Sequence, residues 1–293
     1  MSQEAERHEI AKKAVVCQIP GSDAVTTRPD VKYRETDSNV LSMDIYYPAE
    51  SHGGARIPAV VFVLGYSDVG VKKVLGCKAK EMASSVSWAR LAAATGMAAI
   101  TYSNQEPVTA IRTLLGYVRE NAPALGIDEN RIGLWAASGN VPMALSLLMQ
   151  APAEYLKCAV LCYGFTLDID GSTWMSEAAE KWGFVNACEG KSVDDLAPNV
   201  PLFIARAGQD EFPHLNDAMD RFVARALARN LPVTLVNHAA GPHAFDLMHD
   251  SEVSRQIIRQ ILDFMRFHLL VVDGDSLKEH NGRSLSWHHL DRH

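Results

Sequence analysis

The chain has 293 residues, of which 47% are hydrophobic, and a formal net charge of -7. This length provides enough material for one large domain with a sizeable core. The acidic balance and the lack of a basic block argue against nucleic acid as the main partner and against a membrane surface. No apolar run in the sequence reaches the roughly 20 residues that span a bilayer. We therefore expect a small molecule as the partner.

The beginning of the chain and the cysteines predict the compartment. The segment 1–13 is polar and charged and lacks the apolar stretch of a secretory signal, so a cytoplasmic protein is expected. The five cysteines are irregularly spaced, which is typical of reduced, buried thiols rather than of a disulfide framework or a metal site. They are Cys17, Cys77, Cys158, Cys162 and Cys188. No metal and no organic cofactor is expected.

The predicted elements alternate along most of the chain. Residues 1–30 have little periodicity and are expected to form an N-terminal extension over the surface. Two alternating segments, 31–34 and 40–47, predict antiparallel strands. The later strands are continuous apolar runs, the pattern of strands covered on both faces: 58–64, 97–102, 131–137, 158–163, 201–207 and 233–237. Helices are predicted at 78–95, 107–118, 143–149, 215–226 and 251–269.

This alternation predicts an α/β fold with a mostly parallel central sheet of about eight strands and helices on both faces. The predicted domain covers 31–270, followed by a polar tail at 271–293. The segment 165–200 has little periodicity, and a connection of this length is usually functional, so it is predicted to be a small cap or lid. Its aromatic residues are expected to line a substrate pocket: Trp174, Trp182 and Phe184.

Ser138 lies between the apolar segment 131–137 and the helix-like segment 143–149. A hydroxyl on such a strand-to-helix turn projects from the end of a sheet, and the N–H groups of the next turn point towards it. The spacing approximates Gly-x-Ser-x-Gly, with Ala136 and Asn140 in place of the glycines. Ser138 is a candidate nucleophile, although an ordinary loop fits these residues equally well. Because Asn140 is larger than glycine, we expect a slightly displaced helix or a side chain turned outward.

Two further polar residues follow predicted strands. Asp210 comes after the strand 201–207, and His243 comes after the strand 233–237. With Ser138, they give the chain order nucleophile, acid, histidine, which is the order of one serine-hydrolase fold. The carboxyl ends of parallel strands share one edge of a sheet, where ligands bind in open α/β sheets. The three side chains are therefore expected to meet at that edge.

At these residues the chain resembles an α/β-hydrolase of the esterase/lipase and dienelactone-hydrolase-like group. The resemblance covers nearly all of 31–269. Its most specific parts are the acid loop Arg-Ala-Gly-Gln-Asp-Glu at 206–211 and the base loop Gly-Pro-His-Ala-Phe-Asp at 241–246. The opening strands match through Tyr33 and the pattern Leu-x-Met-Asp-x-Tyr-x-Pro that begins at Leu41.

The resemblance implies a role for each polar residue. Ser138 would be the nucleophile, and His243 would take its proton and return it to the leaving group. Asp210 would fix the tautomer of the histidine and stabilise the imidazolium. Glu211 is the rival acid, but adjacent side chains point in different directions and the resemblance aligns Asp210 with the acid.

A tetrahedral intermediate also needs donors aimed at its oxyanion. The backbone N–H of Gly139, directly after the serine, is the first expected donor. The resemblance implies that the second comes from the loop after the third strand, where the family usually has His-Gly. Here the stretch is Leu64-Gly65-Tyr66, so the N–H of Tyr66 is expected, with that of Ser67 as the alternative.

The expected function is cleavage of a small-molecule carboxylic ester through an acyl-serine intermediate. A peptidase or lactonase of the same fold is an alternative, because a fold does not determine the leaving group. A non-catalytic binding protein on the same scaffold is a further alternative, which the irregular serine turn and the missing loop histidine would favour. A homo-oligomer is compatible with the sequence.

Overall fold

The computed structural model describes residues 9–36, 39–49, 55–150 and 154–270. The predicted polar tail, 271–293, lies outside the described residues, as does the start of the predicted N-terminal extension. Within the described residues no helix is long and apolar enough to cross a membrane.

One sheet of eight strands organises the described part of the chain, in the order β1-β2-β4-β3-β5-β6-β7-β8. The strands β1 and β2 pair antiparallel, as do β2 and β4, and all other neighbours are parallel. The mostly parallel sheet predicted from the alternation is therefore confirmed. The strands are β1 Thr26–Thr36, β2 Asn39–Tyr47, β3 Ile57–Phe62, β4 Ala98–Tyr102, β5 Ile127–Ala137, β6 Leu156–Cys162, β7 Leu202–Gln209 and β8 Val233–Pro242.

Helices cover both faces of this sheet. On one face, residues of α3, α5 and α7 pack into the core, as in the case of Leu114, Leu145 and Phe222. On the other face, α2 and α9 contribute Trp88 and Ile261. The helices are α1 Asp68–Leu75, α2 Ala83–Ala94, α3 Pro107–Glu120, α4 Ala122–Leu125, α5 Val141–Leu148, α6 Trp174–Trp182, α7 Leu215–Ala228, α8 Phe245–Met248 and α9 Glu252–Leu270.

The central strands are apolar because both of their faces are covered. Every residue of β3 and of β4 is buried, so neither strand can alternate between polar and apolar side chains. Such runs are easily recognised in a sequence. They end together at the carboxyl edge of the sheet, which positions the loops that follow them.

The structure differs from the sequence predictions at three places. The strand β1 begins at Thr26, before the predicted start at 31, and its pairing with β2 has register shifts that interrupt the alternation. Within the predicted extension, Val15 and Cys17 are buried against the core. The segment predicted as a cap contains the helix α6, Trp174–Trp182, which was not predicted from the sequence.

Candidate active site

The backbone turns sharply at Ser138, between β5 and α5. Ser138 has a φ of 56°, in the left-handed region that a non-glycine residue seldom adopts. A short 3-10 turn, Ser138–Asn140, then leads into α5, with Pro142 in the first turn where its missing N–H costs nothing. Such a strained residue is held only where the surrounding structure determines it. In this backbone conformation the hydroxyl of Ser138 points towards His243, in the loop that follows β8.

The three polar residues predicted at strand ends form one chain of hydrogen bonds. The Ser138 Oγ lies 2.9 Å from the Nε2 atom of His243. The Nδ1 atom of the same ring lies 2.7 Å from the Oδ2 atom of Asp210. The other carboxylate oxygen of Asp210 accepts the backbone N–H of Phe212 at 3.0 Å, and the Asp210 side chain is 0% exposed. Glu211 is exposed and has no part in this chain.

Aromatic rings hold the imidazole of His243 in place. The ring of Phe212 packs against it with 4.5 Å between centroids, and the ring of Tyr163 makes an edge contact at 5.1 Å. Tyr163 directly follows β6 with a φ of 34°, so the chain turns there and the ring meets the histidine edge-on. The imidazole therefore has little freedom to leave its position between Ser138 and Asp210.

A buried carboxyl group anchors the loop that carries His243. The Asp246 side chain accepts the hydroxyl of Tyr163 at 2.6 Å and the indole N–H of Trp88 at 2.7 Å. Its backbone carbonyl accepts the N–H of Val16 at 2.8 Å. Burial raises the pKa of this carboxyl group, while both donors oppose the rise. In the sequence, Asp246 is recognisable only as part of the base loop, because nothing in the pattern indicates its partners.

The loop after β3 brings a tyrosine side chain to the serine. The side chains of Tyr66 and Ser138 line the same cavity, and burial raises the pKa of the Tyr66 hydroxyl to about 12, while the neighbouring Ser138 opposes the rise. The ring contacts Phe184 edge-on at 5.8 Å. From the sequence we expected only the backbone N–H of Tyr66 to serve as a donor to the oxyanion. The side chain could have been suspected from its position, but its direction depends on the fold.

A network of buried groups fixes that loop. Asp68, the first residue of α1, accepts the backbone N–H groups of Ala79 and Asn104 at 2.9 and 2.8 Å. The Asn104 side chain in turn donates to the carbonyl of Tyr66 at 3.0 Å. Ser67 caps α1, its hydroxyl accepting the N–H of Val69. Burial raises the pKa of Asp68, as expected for a carboxyl group that is removed from water.

Gly139 is confined by the same aromatic residues. A Cβ atom on Gly139 would lie 2.3 Å from the Tyr66 hydroxyl and 2.6 Å from the Cδ1 atom of Phe184. No side chain fits there unless both rings move. The residue directly after the serine is therefore glycine for steric reasons, although its own φ is not positive.

Two cavities adjoin Ser138, and both are also lined by Tyr66, Trp182 and His243. The smaller has a volume of about 90 Å³ and is lined by aromatic rings that include Phe165, Phe184 and Phe212. The larger has a volume of about 540 Å³ and extends under α1 and α2. Trp182 borders both cavities.

The three cap aromatics that the sequence singled out have different positions. Trp182 and Phe184 lie at the cavities, as the sequence led us to expect. Trp174 lines neither cavity. Its ring stacks on His214 at 4.5 Å, and the guanidinium of Arg221 lies 4.2 Å from it. Trp174 therefore packs against His214 and Arg221 and does not line the cavities that Trp182 and Phe184 border.

A further buried histidine, His238, and the cysteines lie outside the chain of hydrogen bonds from Ser138 to Asp210. His238 is buried and bonds through Nε2 to the Ser254 hydroxyl at 3.0 Å, in keeping with the role of a structural histidine. In the part of the chain that the structure describes, no group of three or more His, Cys, Asp or Glu side chains could hold a metal ion. The five cysteines are all free thiols.

Comparison with solved structures identifies the fold. The chain is similar to a fungal esterase from Rhizomucor miehei, with a TM-score of 0.66, 16% identity, and coverage of 91% of this chain and 88% of that one. It is also similar to a bacterial heroin esterase, with a TM-score of 0.63 and 15% identity over 87% of each chain. Esterase B from Lactobacillus Rhamnosis (HN001) gives a TM-score of 0.63 at 15% identity over 90% of each chain.

No known family profile and no curated protein matches the chain in sequence. At identities this low, structural likeness establishes the fold alone. The protein has the α/β-hydrolase fold, as its resemblance to the esterase/lipase group led us to expect.

Proposed function

We propose that this α/β-hydrolase-fold protein is a serine esterase that cleaves a small-molecule carboxylic ester through an acyl-Ser138 intermediate. The observation that carries the proposal is the unbroken chain of hydrogen bonds from Ser138 through His243 to Asp210. An isolated serine hydroxyl is a poor nucleophile, and this chain supplies the base that it needs.

In the first step, Ser138 Oγ attacks the ester carbonyl carbon and forms a new C–O bond. Its proton passes to Nε2 of His243, 2.9 Å away, and the carbonyl π electrons move to the oxygen. Asp210 keeps the Nδ1 atom of the ring protonated and stabilises the imidazolium, without itself taking the proton. The buried carboxylate is suited to this role because the backbone N–H of Phe212 holds its second oxygen.

The oxyanion needs hydrogen-bond donors that are already in place. The N–H of Gly139 is one, as the residue after the nucleophile. For the second we propose Tyr66, through its backbone N–H and also through its hydroxyl, which contacts Ser138. A tyrosine hydroxyl is protonated at neutral pH, and burial, which raises the pKa of Tyr66 to about 12, keeps it a donor. Ser67 is the alternative source of a backbone donor.

In the second step the intermediate collapses. The carbonyl re-forms, the bond to the alcohol oxygen breaks, and Nε2 of His243 gives its proton to that oxygen. Water then repeats the sequence on the acyl-enzyme: His243 takes a proton from the water, and the acid leaves as Ser138 Oγ regains its proton. The reaction consumes one ester and one water and releases one acid and one alcohol.

The test combines turnover with labelling. Ser138→Ala is expected to abolish hydrolysis of p-nitrophenyl acetate, whereas the matched change Ser192→Ala, at an exposed position in the cap, should have no effect. A fluorophosphonate probe should label the unmodified protein at Ser138. If the unmodified protein is neither labelled nor active, the proposal fails and the chain is a binding protein on this scaffold. Among hydrolases, parallel assays with a lactone and a peptide distinguish esterase from lactonase and peptidase.

A further inference from the structure

We infer that the substrate is a neutral ester with one small substituent, about the size of a methyl or acetyl group, and one bulky apolar substituent. This inference rests on the proposed function and specifies its substrate class. It follows from the unequal size and the lining of the two cavities that meet at Ser138.

The smaller cavity limits one side of the ester. Its volume of about 90 Å³ corresponds to only a few water molecules, since one water takes up about 30 Å³ in the liquid. Its walls are large and buried, including Phe165 and Leu215, which are 4% and 1% exposed. Phe165 and Phe184 stack on each other at 6.4 Å, so the walls support one another. A substituent of more than a few heavy atoms exceeds this volume and would have to extend beyond these walls.

The larger cavity accepts the other side. Its volume of about 540 Å³ falls within the roughly 300–1,000 Å³ that is typical of pockets for drug-sized ligands. Val71 and Leu75 of α1 form one wall, and Met82 and Trp88 lie further inside. A group with an aromatic ring or a branched hydrocarbon chain is therefore accommodated here.

The lining also selects for a neutral group. Among the described residues that line the larger cavity, none is a lysine or an arginine, so no cation is available to pair with a carboxylate or phosphate of the substrate. The acidic residue of the lining, Asp246, is 2% exposed and directs its oxygens to Trp88 and Tyr163. An anionic substituent would be buried here without a partner, which is costly.

Apolar side chains surround the entrance of the larger cavity. Ile10, Val74 and Trp182 line it and are nevertheless 38%, 41% and 46% exposed. Large apolar side chains exposed together at a cavity mark a binding site for an apolar ligand. They contact the bulky group as it enters.

The residues common to both cavities separate the two substituents. Tyr66, Ser138, Trp182 and His243 border both, so the scissile carbonyl sits where the cavities meet. A substrate bound there has its two substituents on opposite sides of the reacting carbon. Because the two cavities differ in volume, they favour an ester whose two substituents differ in size.

Four unactivated alkyl esters test this inference. Methyl acetate has two small groups, 2-phenylethyl acetate and methyl 3-phenylpropanoate have one bulky group each, and 2-phenylethyl 3-phenylpropanoate has two. We expect kcat/KM for at least one singly bulky ester to exceed that for methyl acetate and for the doubly bulky ester by more than about tenfold. The preferred member of the singly bulky pair shows which side of the carbonyl occupies the larger cavity. Similar kcat/KM values for the doubly bulky ester and the better singly bulky ester would overturn the inference.

Two variants separate the contributions of the cavities. Val71→Phe narrows the larger cavity and should lower kcat/KM for the preferred singly bulky ester at least fivefold. Val69→Phe is the matched control, on the same helix but 67% exposed and outside the lining, and should leave kcat/KM unchanged. Phe165→Ala enlarges the smaller cavity and should raise the relative rate for the doubly bulky ester. If Val71→Phe and Val69→Phe have the same effect, the larger cavity is not the binding site and the inference fails.

Fluorophosphonate labelling keeps this inference separate from the proposed function. If Ser138 is labelled and all four esters are hydrolysed equally well, only the substrate class is wrong. If Ser138 is not labelled and none of the esters is hydrolysed, the proposed function itself is wrong.

Discussion

The side-chain carbonyl oxygen of Asn140 accepts a hydrogen bond from the backbone N–H of Gly65 at 2.7 Å. The turn that carries Ser138 is thereby joined to the loop that carries Tyr66. The two segments touch, because a Cβ atom on Gly65 would lie 2.5 Å from the carbonyl oxygen of Gly139. The larger residue in place of the expected glycine thus turns towards the loop after β3 rather than outward.

This contact predicts a double effect for Asn140→Ala. The change leaves the N–H of Gly65 without its partner, which should lower the free energy of unfolding by about 1–3 kcal/mol. It should also lower kcat, because the donors of Gly139 and Tyr66 are no longer held relative to each other. Chemical denaturation and ester hydrolysis measure the two effects.

The matched control is Asn121→Ala, which removes a hydrogen bond from the Asn121 side chain to the carbonyl of Tyr117 at 2.9 Å, far from Ser138. It should affect stability alone. Equal kcat values for the two variants would show that Asn140 has no role in holding the site.

Asp210 and Glu211 are adjacent acidic residues, and replacing each one by its amide shows which carboxylate acts on His243. Asp210→Asn should lower kcat by about 10³–10⁴-fold, because an amide in place of the carboxylate favours the wrong tautomer of His243. Glu211→Gln should have almost no effect, since its side chain is exposed. Steady-state hydrolysis of p-nitrophenyl acetate measures both. A large loss from Glu211→Gln would reassign the acid.

Tyr66→Phe removes the hydroxyl next to Ser138 and leaves the backbone N–H in place. If the hydroxyl stabilises the oxyanion, kcat should fall by about 10²–10³-fold, the usual cost of losing one donor. KM should change little, because the interaction forms in the transition state. Tyr47→Phe, which removes a hydroxyl bonded to the carbonyl of Leu125 at 2.8 Å, is the matched control. Unchanged activity of Tyr66→Phe would leave only backbone donors for the oxyanion.

Asp246 predicts a pH dependence of stability. Burial raises its pKa above the ordinary value of 3.8, so the folded protein binds a proton more tightly than the unfolded chain does. The stability from this group is fully present below pH 3.8 and is lost as the pH rises through the pKa of the folded state. Asp246→Asn does not titrate, so its free energy of unfolding should improve relative to the unmodified protein as the pH rises.

Urea denaturation of both proteins at several pH values between about 3 and 8 measures this difference. Asp250→Asn, at a largely exposed carboxylate on the same part of the chain, is the control. The free energies of unfolding of the Asp246→Asn protein and the unmodified protein are compared at each pH. If their difference stays constant with pH, Asp246 does not titrate as proposed.

The buried strands, and the positions of Ser138, Asp210 and His243 directly after them, could be predicted from the sequence. Buried parallel strands must be continuous apolar runs, and polar residues directly after such runs must lie at the carboxyl edge. The edge strand β1 was placed less well, because exposed, irregularly paired residues carry no apolar pattern. The helix α6 was missed although Met175, Ala178 and Ala179 are buried at helical spacing, because it is a nine-residue helix inside a long connection.

Which side chains meet at that edge could not be predicted from the sequence, because it depends on how the chain folds. The hydroxyl of Tyr66 reaches Ser138, Asn140 bonds to Gly65, and Asp246 joins Tyr163 to Trp88, in each case across distant parts of the chain. The same holds for Trp174, which the sequence could not distinguish from Trp182. A sequence pattern records burial and period, whereas the direction of a side chain depends on the neighbours that folding brings to it.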